Sequence, residues 1–227
     1  MRMLVLGAGL QGSACAYDLL AHTDHDVVIA DLNVDNVPEF LRPHVGNRLT
    51  LQKVDANDRA AVRNAMEGVT ATMSAFPYYF NLGMAVAAVD AGSHFCDLGG
   101  NTEIVLQQKE LARRAVEKGV SIVPDCGLAP GMVNILAQYG LSRLDETRAV
   151  RIKVGGLPQK PEPPLNYQVV YSLEGALDYY TTLSWVLRDG KPTQVKALSE
   201  IEELDFPGVG TLEAFHTAGG LSTMAQS

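Results

Sequence analysis

The stretch Met3-Leu4-Val5-Leu6-Gly7-Ala8-Gly9-Leu10-Gln11-Gly12 decides the fold of this 227-residue chain. An apolar run precedes three closely spaced glycines, and residues 13–21, which are rich in good helix formers, follow them directly. This order predicts a strand, a tight turn and a helix. A GxGxxG pattern is a weak signal alone, but in this context it predicts a helix N-terminus whose amides face a pyrophosphate.

Each position of this turn has a predicted role in binding a dinucleotide. Gly7 permits the tight turn, Gly9 lets the backbone approach the pyrophosphate, and Gly12 lets the helix pack on the strand. Leu10 and Gln11 open the helix and contribute backbone amides to the same phosphates. We therefore expect this turn to be the centre of a cofactor site.

An acidic residue completes the pattern. Asp31 ends the second predicted strand, 19 residues after Gly12. A carboxylate there accepts hydrogen bonds from both ribose hydroxyls and repels a 2′-phosphate, so the sequence predicts NAD rather than NADP. The alternative is a glycine-rich turn with an unrelated acid downstream. Asp55, after the third predicted strand, either reaches the adenine or is an ordinary acid of the loop before a helix.

Predicted strands and helices alternate through the first 147 residues. We expect strands at residues 26–30, 49–54, 69–75, 94–98 and 120–124, helices at 58–66, 82–91 and 101–118, and a further helix with Pro130 in its first turn. Asp58 and either Asn101 or Thr102 are expected to cap helix starts, and Gly92 and Gly119 to end helices. The pattern predicts an α/β fold, a Rossmann-type doubly wound parallel sheet, with residues 1–147 forming the NAD-binding domain.

From residue 148 the pattern changes to short alternating segments. Residues 149–154 alternate polar with apolar side chains, and residues 155–164 are a loop rich in Gly and Pro. Strands are expected at residues 167–171, 183–187, 193–198 and 211–215, with a helical turn at 172–179. Asp189-Gly190 is a typical hairpin turn. Residues 148–227 are thus predicted to form a second, smaller α+β domain with an antiparallel sheet, which binds substrate or forms an oligomer interface.

Composition excludes several classes of partner. The chain is 47% apolar and 19% charged, and it has no apolar run of the roughly 18 residues that a membrane span needs, nor a signal-peptide pattern, so we expect a cytoplasmic protein. Its net charge of −8 and the absence of a basic stripe argue against nucleic acid. The cysteines Cys15, Cys96 and Cys126 have no metal-site spacing, so reduced thiols without a metal are expected.

Segments at the ends of the fourth to sixth predicted strands, and others in the second domain, resemble the saccharopine dehydrogenase family, and within it most of all the lysine 6-dehydrogenases. In the first domain these segments are Ser74-Ala-Phe-Pro-Tyr-Tyr-Phe-Asn81, His94-Phe-Cys-Asp-Leu-Gly-Gly100 and Asp125-Cys-Gly-Leu-Ala-Pro-Gly-Met-Val-Asn134. In the second they include residues 154–167, 171–175 and 213–223.

The resemblance implies NAD-dependent oxidative deamination of the ε-amino group of L-lysine, with hydride transfer from the amine-bearing carbon to nicotinamide, in a homodimer or higher homo-oligomer. Chains of that family continue past the segment that matches residues 219–223, so it also implies that a C-terminal part is lacking here. Two alternatives stay open. One is a saccharopine- or carboxynorspermidine-type enzyme acting on a secondary amine, which needs more cationic groups around its substrate. The other is a truncated, non-catalytic NAD-binding or oligomerisation module.

Ligands of an open parallel sheet bind beyond the carboxyl ends of its strands, where Asp97 and Asp125 are expected. Burial there can raise a carboxyl pKa toward neutrality, so both are candidates for the general base that an amine oxidation needs. The alternative is that each acid caps the next turn or helix.

Four further residues at the same edge are candidates to shape the ligand site. Phe76 and Pro77 are expected on the nicotinamide side of the cofactor, with Asn81 beside them. Asn81 can instead be the N-cap of the following helix. Cys126 either lines the substrate pocket or fills a small buried apolar space.

The second domain offers Tyr167, Tyr171 and Glu174 as residues that can face the substrate. Glu174 is the favoured group for holding the substrate ammonium or taking its proton, the alternative being a solvated acid at a helix start. His216 is either a base near neutral pH or an ordinary surface residue of a strand.

Overall fold

The computed structural model describes residues 1–35, 37–168 and 173–225. The chain divides into two compact units, Met1–Cys126 and Gly127–Ser227. The first contains β1 (Arg2–Leu6), α1 (Leu10–His22), β2 (Asp26–Asp31), β3 (Leu49–Lys53), α2 (Arg59–Met66), β4 (Ala71–Ser74), α3 (Asn81–Ala91), β5 (His94–Asp97), α4 (Thr102–Lys109), α5 (Ala112–Lys118) and β6 (Ile122–Val123).

The strands of the first unit form one parallel sheet in the order β3-β2-β1-β4-β5-β6. The predicted Rossmann-type fold is therefore confirmed. The direction of the strand order reverses between β1 and β4, and ligands of such sheets bind at this switch point, beyond the carboxyl ends of the strands. The loops after β1 and β4 are thus the ones that the fold places beside a ligand.

Alternate side chains of a strand point to opposite sides of the sheet, and a buried apolar cluster covers each side. Leu4 and Leu6 of β1 belong to a buried cluster with residues of α2 and α3. Val5, between them, belongs to a second cluster with Ala16 and Leu20 of α1. The continuous apolar run of β1 is the sequence that a strand buried on both faces requires.

The turn between β1 and α1 depends on a close backbone approach. A Cβ on Gly12 would lie 1.9 Å from the carbonyl oxygen of Gly7 and 3.4 Å from the Cβ of Ala75, which directly follows β4. Gly7 itself has φ +104° and its amide donates to the carbonyl of Ala30 in β2 (2.8 Å). The first turn of α1 can therefore sit directly on the loop only because Gly12 has no side chain.

The predicted helix ends are largely confirmed. The carboxylate of Asp58 accepts from the amides of Ala60 and Ala61, both at 3.0 Å, and so caps α2. The side chain of Asn101, rather than Thr102, caps α4. Gly92 and Gly119 end α3 and α5 in the left-handed conformation, as expected.

The single helix predicted for residues 101–118 is wrong: it is broken at Glu110 and Leu111 into α4 and α5. The break lets α4 direct Gln108 to a buried partner while Ala115 of α5 packs against Val89 and Val120. Strand β6 is shorter than predicted. The short 3₁₀ helices Glu39–His44, Tyr78–Phe80 and Ser222–Ala225 were not expected from the sequence.

The second unit contains α6 (Met132–Leu141), α7 (Leu173–Thr181) and the strands β7 (Ser184–Arg188), β8 (Lys191–Val195), β9 (Glu202–Phe206) and β10 (Gly210–Ala214). Its strands form two antiparallel hairpins, β7 with β8 and β9 with β10. Asp189 (φ 49°) and Gly190 (φ 73°) make the predicted turn between β7 and β8, with the positive φ values of a hairpin turn. Strand β9 was missed because its acidic sequence is a poor strand former.

Three expectations for this region differ from the structure. Tyr167 and Gln168 form no strand where one was expected, while residues 169–171 lie outside the described part of the chain. Pro130 precedes α6 instead of lying in its first turn, and Gly131 is the N-cap. The unit boundary lies at residue 126, where a domain boundary was expected at 147, because α6 joins the second unit: the Asn134 side-chain amide donates to the carbonyl of Leu221 (3.1 Å).

Within residues 1–35, 37–168 and 173–225, no helix combines the length and apolar character that a membrane span requires.

We predict that Gly12→Ala destabilises the fold by about 1–3 kcal/mol, because the added methyl group would overlap the Gly7 carbonyl and force the turn and α1 apart. Urea denaturation measures this loss. Gly9→Ala is the matched control, since a Cβ on Gly9 meets none of the described atoms within 4 Å and the φ of Gly9 is −71°. Equal free energies of unfolding for the two variants would contradict the packing described.

Candidate functional site

The turn after β1 presents an open helix N-terminus. Gly9 is the N-cap of α1, and Gly9, Leu10 and Gln11 are all exposed. The first amides of a helix have no partner within the helix, and they carry the positive end of its dipole. No atom of the described residues lies within 4 Å of a Cβ built on Gly9, so a pyrophosphate can approach this backbone.

Two side chains hold the turn in place through the peptide groups of Ala8. The amide of Ala8 donates to Oδ2 of Asp31 at 2.7 Å, and its carbonyl accepts from the hydroxyl of Ser13 at 3.0 Å. The other carboxylate oxygen of Asp31 accepts from the amide of Asn33 at 3.0 Å. Each carboxylate oxygen keeps a further acceptor site, so Asp31 can still bind ribose hydroxyls. The residues of this loop therefore fit the dinucleotide predicted from the sequence.

The neighbouring strand adds a cation and a second acid. Lys53 is the register partner of Asp31 across β2 and β3, and it is exposed. Asp55, two residues later, accepts from the amide (2.8 Å) and the side-chain amide (3.0 Å) of Asn57, forming an exposed turn. Asp55 thus has the local contacts of a loop acid, which was the alternative to its predicted adenine contact.

The loop after β4 is built on aromatic packing. The rings of Phe76 and Phe80 lie 5.9 Å apart, and Pro77 is exposed at the start of the 3₁₀ helix. Asn81 is only 2% exposed and its Oδ1 accepts from the hydroxyl of Ser74 at 2.9 Å. The Asn81 side chain therefore joins the end of β4 to the start of α3. It was expected either to lie beside a ligand or to cap the helix, but it is buried, and the N-cap is Phe80.

Asp97, a predicted catalytic acid, is 1% exposed at the end of β5. Its Oδ1 accepts from the amides of Gly99 (2.7 Å) and Asp125 (3.3 Å), and its Oδ2 accepts from the side-chain amide of Gln108 (2.7 Å). Burial raises the pKa of Asp97, while these three hydrogen bonds oppose the shift. A carboxyl enclosed in this way holds the loops after β5 and β6 together and is closed off from solvent.

Asp125 packs against the same loop. It is 9% exposed with φ 60°, and a Cβ on Gly99 would lie 1.9 Å from its Oδ1. The next residue, Cys126, is exposed, so its interpretation as a small buried filler is wrong. Among the described residues no group of three or more His, Cys, Asp or Glu side chains is arranged to hold a metal ion.

The remaining candidates belong to the second unit. Tyr167 is partly buried and shares a hydrogen bond with Tyr180, whose pKa is raised by burial and by this neighbour. Glu174 lies in the first turn of α7, but its side chain and the whole of Tyr171 lie outside the described residues. His216 follows β10, and its Nε2 lies 3.3 Å from Oε2 of Glu200.

Three residues of the site were missed in the sequence. Ser13 directly follows the glycine pattern, so its position could have suggested a contact with the turn. Lys53 is apparent only once β2 and β3 are paired in register. Gln108 lies eleven residues from Asp97, and no local pattern predicts that their side chains meet.

Comparison with known families matches both units. The family model described as "Saccharopine dehydrogenase NADP binding domain" matches residues 3–123, and that described as "Saccharopine dehydrogenase C-terminal domain" matches residues 127–226. The chain belongs to the saccharopine dehydrogenase family. The division of the two family models agrees with the boundary between the two units of the structure.

Two relatives illustrate the likeness. The saccharopine dehydrogenase [NADP(+), L-glutamate-forming] of Schizosaccharomyces pombe is 23% identical over 184 residues, which are 77% of this chain and 39% of the relative. The apo histidine-tagged saccharopine dehydrogenase (L-Glu forming) of Saccharomyces cerevisiae has a TM-score of 0.74 and 20% identity, and the match covers 98% of this chain and 51% of that one. This saccharopine dehydrogenase family chain thus spans about half the length of these relatives or less.

In this member of the saccharopine dehydrogenase family, we predict that Asp97→Asn leaves the fold intact. The Asn carbonyl can keep both backbone bonds. Gln108, whose buried Oε1 accepts no hydrogen bond from the described residues, can rotate its amide to accept from the new NH₂ group. Because the folded pKa of Asp97 is raised, wild-type protein gains stability below the unfolded pKa of about 3.9 and loses it as pH rises through the folded pKa.

The free energy of unfolding of Asp97→Asn minus that of wild type should therefore increase with pH across this window. Chemical denaturation at a series of pH values measures the difference, and Asp24→Asn, at an exposed acid, is the control. A difference that is flat or falls with pH would mean that the hydrogen bonds to the carboxylate outweigh its burial.

Proposed function

We propose that the chain binds NAD and contributes to the oxidative deamination of an amino acid, with the ε-amino group of L-lysine as the substrate group. The observation that carries the proposal is the glycine turn held at Ala8 by Asp31 and Ser13. An open helix N-terminus with a carboxylate at the end of β2 suits a pyrophosphate and a ribose. Membership of a family of dehydrogenases supports an oxidation as the reaction.

The choice between NAD and NADP rests on two opposite charges. The carboxylate of Asp31 is held at the turn by Ala8 and Asn33, where it favours ribose hydroxyls and repels a 2′-phosphate. Lys53, the register partner of Asp31, would instead favour the 2′-phosphate of NADP. The description of the matching family model, which names NADP, points the same way. We assign NAD because the carboxylate is directly bonded to the turn, whereas Lys53 is exposed on a flexible stem.

The reaction requires a neutral amine before hydride leaves the carbon that bears it. The bound nicotinamide would supply the hydride acceptor. Asp97 cannot take the ammonium proton, because three donors enclose it, and its role is to position the loops beyond β5 and β6. We therefore assign the proton transfer to Glu174 of α7, with Tyr167 and Tyr171 as substrate contacts.

A cavity in the second unit supports a free amino acid as substrate. It is lined by Lys160, Glu162 and Tyr167, with Pro158 and Gln168. One cation and one anion suit the carboxylate and ammonium groups of a single amino acid. The second candidate is a saccharopine-type enzyme that cleaves a secondary amine. The names of both relatives favour it, but its substrate has further carboxylates that need additional cations.

We predict that Asp31→Ala weakens NADH binding about tenfold, since it removes charge-assisted hydrogen bonds to the ribose and releases the Ala8 amide. Fluorescence titration with NADH and NADPH measures both affinities, and Asp24→Ala, at an exposed acid two residues before β2, is the control. Lys53→Ala should leave NADH affinity unchanged. Tighter binding of NADPH than NADH by wild type, lost in Lys53→Ala, would overturn the assignment of NAD.

We also predict that the chain reduces NAD with L-lysine and that Glu174→Gln lowers kcat about 10²-fold with little change in NADH affinity, as expected for loss of a general base. The assay compares L-lysine, other amino acids, diamines and saccharopine with each cofactor. Turnover of saccharopine alone would favour the second candidate. Tight NADH binding without turnover of any substrate would favour a non-catalytic binding module.

A further inference from the structure

Two of the three cysteines lie side by side at the carboxyl edge of the sheet. Cys96 lies in β5 and is the register partner of Val123 in β6. The chain then turns back, and the amide of Cys126 donates to the carbonyl of Asp97 at 2.7 Å. Residues 30 positions apart in the sequence are thus brought together by strand pairing and by a loop hydrogen bond.

The two thiols lie on either side of one residue, Val123. Cys96 is its register partner, and Sγ of Cys126 donates to its carbonyl at 3.3 Å. Each thiol also shifts the pKa of the other. Cys126 is exposed, while Cys96 is partly buried. One sulfur is therefore open to a small reagent in solvent, and the other is placed behind it.

The pKa values of the two thiols are shifted in opposite directions, and the exposed Cys126 is the more acidic of the two. Donation from Cys96 lowers the pKa of Cys126, although burial and the nearby carboxyls of Asp97 and Asp125 oppose the shift. The same hydrogen bond, followed by burial, raises the pKa of Cys96. The exposed sulfur is consequently the one that forms a thiolate first, and thiolates are the reactive form of cysteine.

We propose that Cys96 and Cys126 form an oxidation site, in which Cys126 reacts with a hydroperoxide and Cys96 closes the pair into a disulfide. The third cysteine, Cys15 in α1, also raises the pKa of Cys96, but burial raises its own pKa, so Cys15 is not the thiol that reacts first. A solvent-accessible thiolate beside a second thiol is the usual arrangement of a redox-sensitive cysteine.

The reaction balances with hydrogen peroxide as the oxidant. The Cys126 thiolate attacks one peroxide oxygen, an S–O bond forms, the O–O bond breaks, and the released hydroxide takes a proton to become water. The Cys96 sulfur then attacks the sulfur of the Cys126 sulfenic acid. An S–S bond forms, the S–O bond breaks, and the departing hydroxide leaves as water with the Cys96 proton. Two thiols lose two electrons in total, and the peroxide gains them.

A disulfide would join β5 to the loop after β6, where Asp97 already holds the amides of Gly99 and Asp125. The modification would therefore act on the edge at which the fold places ligands. Neither the cofactor nor the substrate takes part in this oxidation. It can be tested on the 227-residue chain without either.

The test is treatment of the reduced chain with hydrogen peroxide, followed by thiol titration and peptide mass mapping. We expect the three free thiols to fall to one, a linked pair of peptides containing Cys96 and Cys126, and full recovery with dithiothreitol. Cys15→Ser should form the same bond. Cys126→Ser should lose the rapid reaction, and Cys96→Ala should stop at a sulfenic acid that dimedone captures.

Three results would overturn the proposal. One is a wild-type chain that keeps all three thiols under peroxide concentrations that oxidise free cysteine. Another is a disulfide between two chains in place of the Cys96–Cys126 bond, seen as a dimer on a non-reducing gel. The last is oxidation of Cys126 in wild type to sulfinic acid without the bond. Because all three are read on the wild-type chain, they do not depend on whether a variant folds.

Discussion

The contact between Gly12 and the carbonyl of Gly7 is the constraint on which the rest of the first unit depends. It lets α1 start directly above the end of β1, so that the helix amides open toward the switch point between β1 and β4. Ala75, at the end of β4, packs against the same two glycines. A side chain at Gly12 would separate the helix from the sheet, and the ligand-facing turn would be lost with it.

Acidic side chains hold the loops of this edge in place. Asp31 fixes the turn after β1 through the amide of Ala8, and Asp97 fixes the loops after β5 and β6 through Gly99 and Asp125. The two carboxylates differ in what they leave open. Asp31 keeps acceptor positions for a ligand, whereas Asp97 is enclosed and has its pKa raised by burial. Asp31 can therefore bind a ligand, whereas Asp97 positions the loops after β5 and β6.

This difference explains how much of the candidate site was predictable. The glycines and Asp31 follow from the sequence, because their roles depend on a local strand, turn and helix. For Asp97 the sequence left two roles open, a general base and a cap of the next turn, and its bond to the amide of Gly99 fits the second. Its contact with Gln108 was not predictable, because Gln108 reaches it only after the helix predicted for residues 101–118 breaks in two. The second unit follows the same rule. The Asp189-Gly190 turn was predicted, but the place of α6 rests on a bond from Asn134 to the distant Leu221.

The sequence by itself determined the order of strands and helices in the first unit, the turn that can bind a dinucleotide, and the resemblance to a dehydrogenase family that both family models confirm. These properties are written in residues close together along the chain, where apolar periodicity and glycine spacing act directly. Only the tertiary structure decided which acids are enclosed, that Lys53 is the register partner of Asp31, and that Cys96 and Cys126 both lie beside Val123. Such contacts join residues that are distant in sequence, so strand register and burial set them, and no local pattern encodes either one.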